Sequence, residues 1–250
     1  MPGRTFAIGD IHGDLDALFK LLATFPTLTK DDTVVFVGDY FDRGPKSAQV
    51  IDYIRKMHES TPAKVVALRG NHEDAWLRIV DEGWPEFIIP RNNGCLETLR
   101  SFQGRAVTAA DMPDADDFAA MERGAFFPPD VVAWMRTLPM FHEDEHAIYV
   151  HAGIKRRPED GAFPHPSEVD PPRALLWLRD RDFFANYRGK LVVFGHTTTP
   201  SLPPELSSYT PEDPSDLWAG PACVGLDTGC GKGGFLTAVV LPEREVYESR

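Results

Sequence analysis

Five glycine-framed clusters of polar residues, each directly after a short apolar run, constrain this chain more than any other feature. Their sequences are Gly9-Asp10-Ile11-His12-Gly13, Gly38-Asp39-Tyr40-Phe41-Asp42-Arg43-Gly44, Gly70-Asn71-His72-Glu73, His151-Ala152-Gly153 and Gly195-His196. In an open α/β sheet, the loops beyond the carboxyl ends of the strands converge on one crevice. We therefore expect side chains from all five clusters to meet in one site.

The first seventy residues alternate between strand-like and helix-like patterns. Short apolar runs at residues 6–8, 34–37 and 65–68 predict strands, and the run 34–37 is expected to be covered on both faces. Between them, apolar residues recur with helical spacing at Leu15, Leu18, Phe19 and Leu22, after a capping Asp14, and again at Val50, Tyr53, Ile54 and Met57. This alternation predicts parallel strands joined by right-handed crossovers.

The rest of the chain is less regular. The patterns predict a helix around residues 131–138 and strands at 147–150, 191–194, 223–226 and 235–241, of which the last two are expected to pair. Residues 111–117 are interpreted as an acidic, solvated loop, and residues 158–172 and 199–221 as long surface loops. We expect residues 1–250 to form a single domain.

The composition favours a soluble protein. The 26 basic and 38 acidic residues give a net charge of −12, which offers no positive surface for a nucleic-acid backbone. No apolar run has the length of a transmembrane span, and the beginning of the chain lacks a secretory pattern. Three cysteines without metal-type spacing fit reduced thiols. We expect a cytoplasmic protein with no nucleic-acid or membrane partner, and the oligomeric state stays open.

The clusters supply ligands for two metal ions. Asp10 and His12 lie two residues apart at a predicted strand end and can point the same way. Asp39 can bridge their ion to a second one, since two ions about 3.5–4 Å apart can clamp both oxygens of a displacement at phosphorus. The second ion would be held by Asn71, His151 and His196. Oxygen and imidazole ligands without thiolate suit two divalent ions, with Mn²⁺ first and Fe or Zn²⁺ as alternatives.

Other residues of the clusters suit catalysis of phosphoester hydrolysis. A water that bridges two such ions can be the nucleophile at neutral pH, so no serine or cysteine nucleophile is needed. His72 would protonate the leaving oxygen, with Asp42 orienting its ring. Arg43 adjoins Asp42 and offers a planar fork that matches phosphate oxygens, and Asn71 is also expected to bind phosphate. A second arginine is expected from the segment after Trp177, with Arg179 chosen and Arg181 as the fallback.

With these residues the chain resembles the phosphoprotein phosphatase family of metallophosphoesterases. The motifs GDxHG, GDxxDRG, GNHE and HAG are intact from residue 9 onward, and Gly195-His196 stands for the later metal-binding histidine. The resemblance is greatest to short bacterial serine/threonine protein phosphatases. It implies an αββα sandwich with two mixed β-sheets flanked by helices, a dinuclear metal site at strand carboxyl ends, Asp39 as the bridging ligand, and the His72 and Asp42 pair.

The substrate is less constrained than the reaction. Symmetrical dinucleoside tetraphosphate hydrolases are related, but Asp42 and Glu73 favour the protein phosphatase side of the resemblance. The leading interpretation is therefore an enzyme, a phosphoric monoester hydrolase acting on phosphoserine, phosphothreonine or phosphotyrosine in a phosphoprotein or phosphopeptide. The alternatives are a hydrolase of small phosphoesters or dinucleoside polyphosphates, and a non-catalytic metal-binding scaffold.

A glycine-rich segment near the end of the chain needs a separate interpretation. Residues 229–234 match a dinucleotide-binding fingerprint, but a strand-like run follows where the fingerprint requires a helix. We interpret the segment as a turn between strands. Its Lys232 could still face the site.

Overall fold

The computed structural model describes residues 3–108, 110–209 and 213–250. In these ranges the strands are β1 Thr5–Ile8, β2 Thr33–Phe36, β3 Lys64–Ala67, β4 Phe141–Glu143, β5 Ile148–Val150, β6 Val192–Phe194, β7 Trp218–Ala219, β8 Cys223–Gly225, β9 Thr237–Leu241 and β10 Glu245–Glu248. The α-helices are α1 Leu15–Thr24, α2 Ser47–Ser60, α3 Asn71–Glu82, α4 Cys95–Phe102, α5 Ala115–Met121, α6 Pro129–Thr137, α7 Ala174–Trp177 and α8 Arg181–Asn186.

The strands form two five-stranded mixed sheets. The first has the order β10-β9-β1-β2-β3, with β1, β2 and β3 parallel and β9 antiparallel to β1. The second has the order β4-β5-β6-β8-β7, with β5, β6 and β8 parallel. The carboxyl ends of three parallel strands thus lie together in each sheet, as the alternation of the sequence predicts for the first sheet.

Alternating side chains place the two sheets face to face. Ala7 of β1 and Val35 of β2 belong to one buried cluster with Tyr149 of β5 and Val193 of β6, so this cluster lies between the sheets. The opposite faces pack against helices in two further clusters, one of which contains Phe6 and the other Phe194. The predicted αββα sandwich is confirmed. Among the described residues, no helix is long and apolar enough to cross a membrane.

Local signals at the helix ends act as expected. The Asp14 carboxylate accepts a hydrogen bond of 2.9 Å from the backbone N–H of Ala17, which caps α1. Helix α3 begins at Asn71, four residues after the end of β3, and ends at Glu82, with the following Gly83 as a cap at a positive φ of 65°. A metal-ligand candidate and the predicted general acid therefore lie in the first turn of one helix.

Three sequence interpretations differ from the structure. The runs around residues 223–226 and 235–241 form β8 and β9, but these strands lie in different sheets and do not pair with each other. The acidic run 111–117 is not only a solvated loop, because Asp114 caps α5 and the buried Asp117 pairs with Arg100. The predicted loop 199–221 includes β7.

Candidate metal centre

The structure brings the six predicted metal ligands together. Each comes from the loop or helix start that follows a parallel strand, and all six side chains are buried: Asp10, His12, Asp39, Asn71, His151 and His196. Four of them follow β1, β2 and β3 of the first sheet, and the other two follow β5 and β6 of the second sheet. The convergence at strand carboxyl ends is the one expected from the sequence.

One group of possible ligand atoms lies around Oδ2 of Asp39. His12, Asp39 and His72 offer atoms that all lie within 4.8 Å of one another. The Nε2 atom of His12 is 3.4 Å from Asp39 Oδ2 and 4.0 Å from Asp10 Oδ2. This half of the site therefore has two carboxylates and one imidazole within reach of one cation.

A second group lies on the other oxygen of Asp39. Asp39, His151 and His196 also offer atoms within 4.8 Å of one another, and His151 Nε2 is 3.3 Å from Asp39 Oδ1. The amide oxygen of Asn71 lies 2.9 Å from His151 Nε2 and 2.7 Å from His196 Nδ1. Asp39 is common to both groups, which is the placement that a bridging ligand requires.

Backbone carbonyls orient two of the imidazoles. His12 Nδ1 lies 2.8 Å from the carbonyl oxygen of Phe41, and His151 Nδ1 lies 2.9 Å from that of Val37. A proton on each Nδ1 leaves the lone pair of Nε2 directed into the site. Partners of this kind fix the tautomer and ring orientation of metal-binding histidines.

Burial and neighbouring charges shift the pKa values of the metal-ligand candidates. Burial lowers the pKa of His12, His151 and His196, so these rings are neutral and can act as ligands. Burial opposes ionisation of Asp39, but the positive charge that His151, His72 and His12 carry when protonated, together with the charge of Arg43, lowers the pKa of this carboxyl below its usual range. Burial, with the negative charges of Asp227 and Asp39, raises the pKa of Asp10 well above its usual range.

Two buried polar atoms support a cation at this position. In the part of the chain that the structure describes, Asp10 Oδ1 and His196 Nε2 have no hydrogen-bond partner. Buried polar atoms without a partner are uncommon and need an explanation. A cation beside Asp10 would satisfy its free oxygen, and cations in the two groups would offset the mutual repulsion of the carboxylates. The donor set therefore fits divalent metal ions, and it does not identify the metal.

The site loops have an unusual backbone conformation. Among the described residues, six that are not glycine have positive φ values between 46° and 70°. One is Arg244, in the turn between β9 and β10, and the other five lie in the motif clusters: His12, Asp39, Asp42, Arg43 and His196. Gly195 is required sterically, because a Cβ atom at this position would clash with the Asp10 carboxylate. Strained residues of this kind cluster at functional sites, where the surrounding structure holds them in place.

The predicted general acid has the expected partner. His72 Nδ1 lies 2.6 Å from Asp42 Oδ2, and His72 Nε2 lies 3.8 Å from Asp39 Oδ2. The Trp76 indole N–H and the Thr98 hydroxyl donate to Asp42 Oδ1 at 3.0 and 2.6 Å. The imidazole is thus fixed at the edge of the metal centre by a buried carboxylate that is itself held by two donors.

Glu73 is a buried residue that stabilises a loop of the site through hydrogen bonds. It is fully buried, and its two carboxylate oxygens accept hydrogen bonds of 2.8–2.9 Å from the backbone N–H groups of Asp39, Tyr40 and Gly70. Burial raises the pKa of Glu73, and the charge of Asp39 raises it further. Its contacts hold the loop that carries Asp39, so Glu73 cannot itself discriminate between substrates.

The arginines differ in their access to the site. The Arg43 guanidinium contacts His12 Nε2 and lies 3.3 Å from His72 Nε2, so it lies against the two imidazoles of the first ligand group. Arg179 donates to the carbonyl oxygen of His196 at 3.1 Å. Arg181 instead pairs with Glu205 and has a side chain that is 71% exposed. The structure therefore brings Arg43 and Arg179 to the site and leaves Arg181 outside it.

Two further charged residues lie near the site: Asp227, which was not predicted, and Lys232, which the sequence suggested only as a residue that could face it. Asp227 is 2% exposed and follows β8, the third parallel strand of the second sheet. Lys232 lies in the turn at residues 229–234, which is a turn as predicted, and Gly231 of this turn packs against His12. Burial and the charge of Arg43 lower the pKa of Lys232. The position of Asp227 after a strand was the available sequence signal.

Known proteins share extended similarity with this chain. The family model described as "Calcineurin-like phosphoesterase" matches residues 3–200. The chain is 28% identical over 262 residues to an asymmetrical bis(5'-nucleosyl)-tetraphosphatase, PrpE, of Anoxybacillus flavithermus, with 95% of this chain and 90% of the relative covered. It is 34% identical over 152 residues to a symmetrical bis(5'-nucleosyl)-tetraphosphatase of Yersinia pestis, with 60% and 42% covered.

A solved structure shares the fold. The cold-active protein-tyrosine phosphatase of a psychrophilic Shewanella has a TM-score of 0.57 and 15% sequence identity, and the alignment covers 99% of this chain and 78% of that one. At this level of identity the likeness concerns the fold alone.

Proposed function

The chain belongs to the calcineurin-like phosphoesterase family, and we propose that within this family it hydrolyses nucleotide polyphosphates of the dinucleoside tetraphosphate class. The observation that carries the proposal is the 28% identity to a bis(5'-nucleosyl)-tetraphosphatase over 95% of this chain and 90% of that relative. The sequence alone favoured phosphoproteins and kept nucleotides as an alternative. The relatives support that alternative better.

The proposed reaction needs little beyond the groups already described. Water adds across a P–O–P bond: its oxygen bonds to phosphorus, one P–O bond breaks, and two phosphate-bearing products separate. Asp10, His12, Asp39, Asn71, His151 and His196 would hold two divalent ions, which when bound supply Lewis acidity and offset the phosphate charge. Manganese is our first choice of metal, with iron or zinc as alternatives.

The chain's own cations and general acid complete the proposal. Arg43 lies against the imidazoles of His12 and His72 and offers paired N–H donors to phosphate oxygens, with Arg179 as a second donor. His72 would donate the proton of its Nε2 to the leaving oxygen, while Asp42 keeps Nδ1 protonated and the ring in place.

One specific observation favours phosphoproteins as a second candidate substrate. A serine or threonine alkoxide is a far stronger base than a departing nucleotide phosphate and depends more on a general acid. The buried Asp42 and His72 pair supplies that help at 2.6 Å. The pair is compatible with both substrates, so it does not outweigh the relatives.

A comparison of substrates tests the proposal. We expect kcat/KM with Mn²⁺ to be at least about tenfold higher for diadenosine tetraphosphate than for a phosphoserine or phosphothreonine peptide. The opposite order would replace the proposal by the phosphoprotein candidate. If a chelator left the cleavage of p-nitrophenyl phosphate unchanged, or if no cleavage occurred at all, metal-dependent hydrolysis itself would be rejected in favour of a non-catalytic scaffold.

A further inference from the structure

Three aromatic side chains form a continuous group beside the general acid. Phe87 packs edge to face against His72 with ring centroids 5.1 Å apart, and the ring of Trp177 lies 6.3 Å from that of Phe87. Trp84 lies 6.0 Å from Phe87 and 6.1 Å from Trp177. We call Trp84, Phe87 and Trp177 the aromatic shelf. Phe87 is buried, whereas both tryptophans are only partly buried.

The shelf is fixed by neighbouring elements. Trp84 and Phe87 lie in the turn that follows α3, and Trp177 ends α7, two residues before Arg179. The Trp177 indole N–H donates to the buried Asp74 of α3 at 2.9 Å. Two chain segments that are distant in sequence thus hold the rings in a defined arrangement next to the metal centre.

Cations border the shelf. The Arg78 guanidinium lies over the Trp84 ring at 3.7 Å, and Arg173 donates to Asp74 at 3.2 Å. On its other side the shelf leads through Phe87 to His72 and so to the phosphate-binding groups. A partly exposed aromatic surface that joins an anion site suits a flat, polarisable ring attached to phosphate. Such a ring would stack on the face of Trp84 that Arg78 does not cover. An aliphatic group would pack against the apolar area but could not stack on the aromatic rings.

We propose that the aromatic shelf binds a nucleobase of the substrate. The inference rests on the proposed nucleotide substrate, and it assigns the base to Trp84 and Trp177 while the phosphates lie over His72 and Arg43. Bases stack on aromatic side chains with little dependence on base identity, since every base has a π-face. The shelf would therefore select nucleotides over base-free phosphates without selecting one base strongly.

A pair of inhibitors that differ only in the base tests the shelf. AMP and ribose 5-phosphate are compared as competitive inhibitors of p-nitrophenyl phosphate cleavage by the full chain with Mn²⁺. In the wild type we expect AMP to bind about fivefold or more tightly than ribose 5-phosphate, which is the lower end of the effect of one stacked base. Equal inhibition constants would overturn the proposal without any variant.

Substitutions then locate the effect. Trp84→Leu is expected to reduce the preference for AMP to less than about twofold, whereas Trp84→Phe, which keeps an aromatic face, is expected to retain most of it. Phe19→Leu is the matched control, because Phe19 is an exposed aromatic residue on α1 outside the shelf. Trp177→Leu is the second variant if Trp84→Leu fails to fold by circular dichroism. If the preference for AMP over ribose 5-phosphate is unchanged in both Trp84→Leu and Trp177→Leu, the shelf is not the base site.

The outcomes separate this inference from the proposed function. If the wild type cleaves diadenosine tetraphosphate but binds AMP and ribose 5-phosphate equally, the substrate class stands and the base site is rejected. If AMP is preferred through Trp84 but the tetraphosphate is not cleaved, the base site stands and the proposed substrate is rejected.

Discussion

His72 Nδ1 lies 2.6 Å from Asp42 Oδ2, and this contact joins the edge of the metal centre to a buried polar network. Asp42 also accepts hydrogen bonds from Trp76 and Thr98, so its orientation does not depend on His72. The pair can therefore be altered one member at a time. If Asp42 acts only by positioning the ring, its removal affects proton transfer and leaves the metal ligands unchanged.

Asp42→Asn is expected to slow substrates with basic leaving groups most. We expect kcat for a phosphoserine peptide to fall by about 10²-fold, with a smaller loss for p-nitrophenyl phosphate, because nitrophenolate departs without a proton. His72→Asn should give the same pattern. The measurement is kcat on both substrates with Mn²⁺. Equal losses on the two substrates would exclude a general acid role for His72.

Asp39→Asn is expected to abolish metal-dependent turnover. Asp39 is the residue common to both groups of possible ligands, so its loss should lower the affinity for Mn²⁺ by at least about 10²-fold. Isothermal titration calorimetry of the protein with Mn²⁺ measures this directly. Asp52→Asn on the exposed face of α2 is the control and should bind metal like the wild type. Unchanged metal affinity in Asp39→Asn would contradict the bridging role.

Arg179→Ala and Arg181→Ala form a matched pair two residues apart. Arg179 contacts the carbonyl oxygen of His196, whereas Arg181 is exposed and pairs with Glu205. We expect KM for a phosphate substrate to rise about tenfold or more in Arg179→Ala, because a hydrogen bond to a charged group is lost. Arg181→Ala should change KM by less than about twofold. The reverse ranking would show that the fallback residue binds phosphate.

Glu73→Gln is expected to lower stability without changing substrate preference. The carboxylate holds three backbone N–H groups, and an amide places its own N–H₂ against at least one of them. A cost of about 2 kcal/mol would lower the Tm by about 4–8 °C. Differential scanning calorimetry and the ratio of kcat/KM for nucleotide and phosphopeptide check both parts. Exposed Glu59→Gln is the control, and a changed ratio in Glu73→Gln would contradict a purely structural role.

Asp32 and Arg4 predict a pH dependence of stability. Burial opposes ionisation of Asp32, but hydrogen bonds from Arg4 and Thr29 outweigh it and lower the pKa of the carboxyl to about 2. A lowered folded-state pKa stabilises the fold above the ordinary pKa, and this contribution is lost as the pH falls towards about 2. Solvent around Arg4 screens the pair, so we expect Asp32→Asn to cost about 1 kcal/mol at pH 7.

Urea unfolding at several pH values measures this contribution. The difference in the free energy of unfolding between the wild type and Asp32→Asn should be constant from pH 7 to about 5. It should become smaller below about pH 4. A difference that stayed constant down to pH 3 would show that the charge of Asp32 does not contribute.

Sequence pattern predicted the site better than its surroundings. The ligand candidates could be chosen because each follows an apolar run. Neighbouring residues of a strand, such as Phe6 and Ala7, point to opposite faces, so a run in which both are apolar predicts a sheet covered on both sides. The assignment of β8 and β9 to one pair was wrong, since strand partners are chosen by long-range packing that a local pattern does not record.

Charge patterns misled for a similar reason. Asp114 and Asp117 look like members of a solvated acidic run, yet one caps α5 and the other is buried against Arg100. A helix signal at the Asp114 cap was available, but the partner of Asp117 lies on α4 and could not be seen from the sequence. The aromatic shelf was hidden too, because Trp84 and Trp177 meet only in the folded chain.

The left-handed backbone at Asp42 has a practical consequence. Its φ of 70° is a conformation that asparagine adopts more readily than most residues, so Asp42→Asn can keep the loop while it removes the negative charge. The six metal-ligand candidates remain in this variant. A slow enzyme with an intact binding surface can serve as bait: immobilised with Mn²⁺, it would retain its physiological substrate long enough for recovery from a cell extract and identification by mass spectrometry.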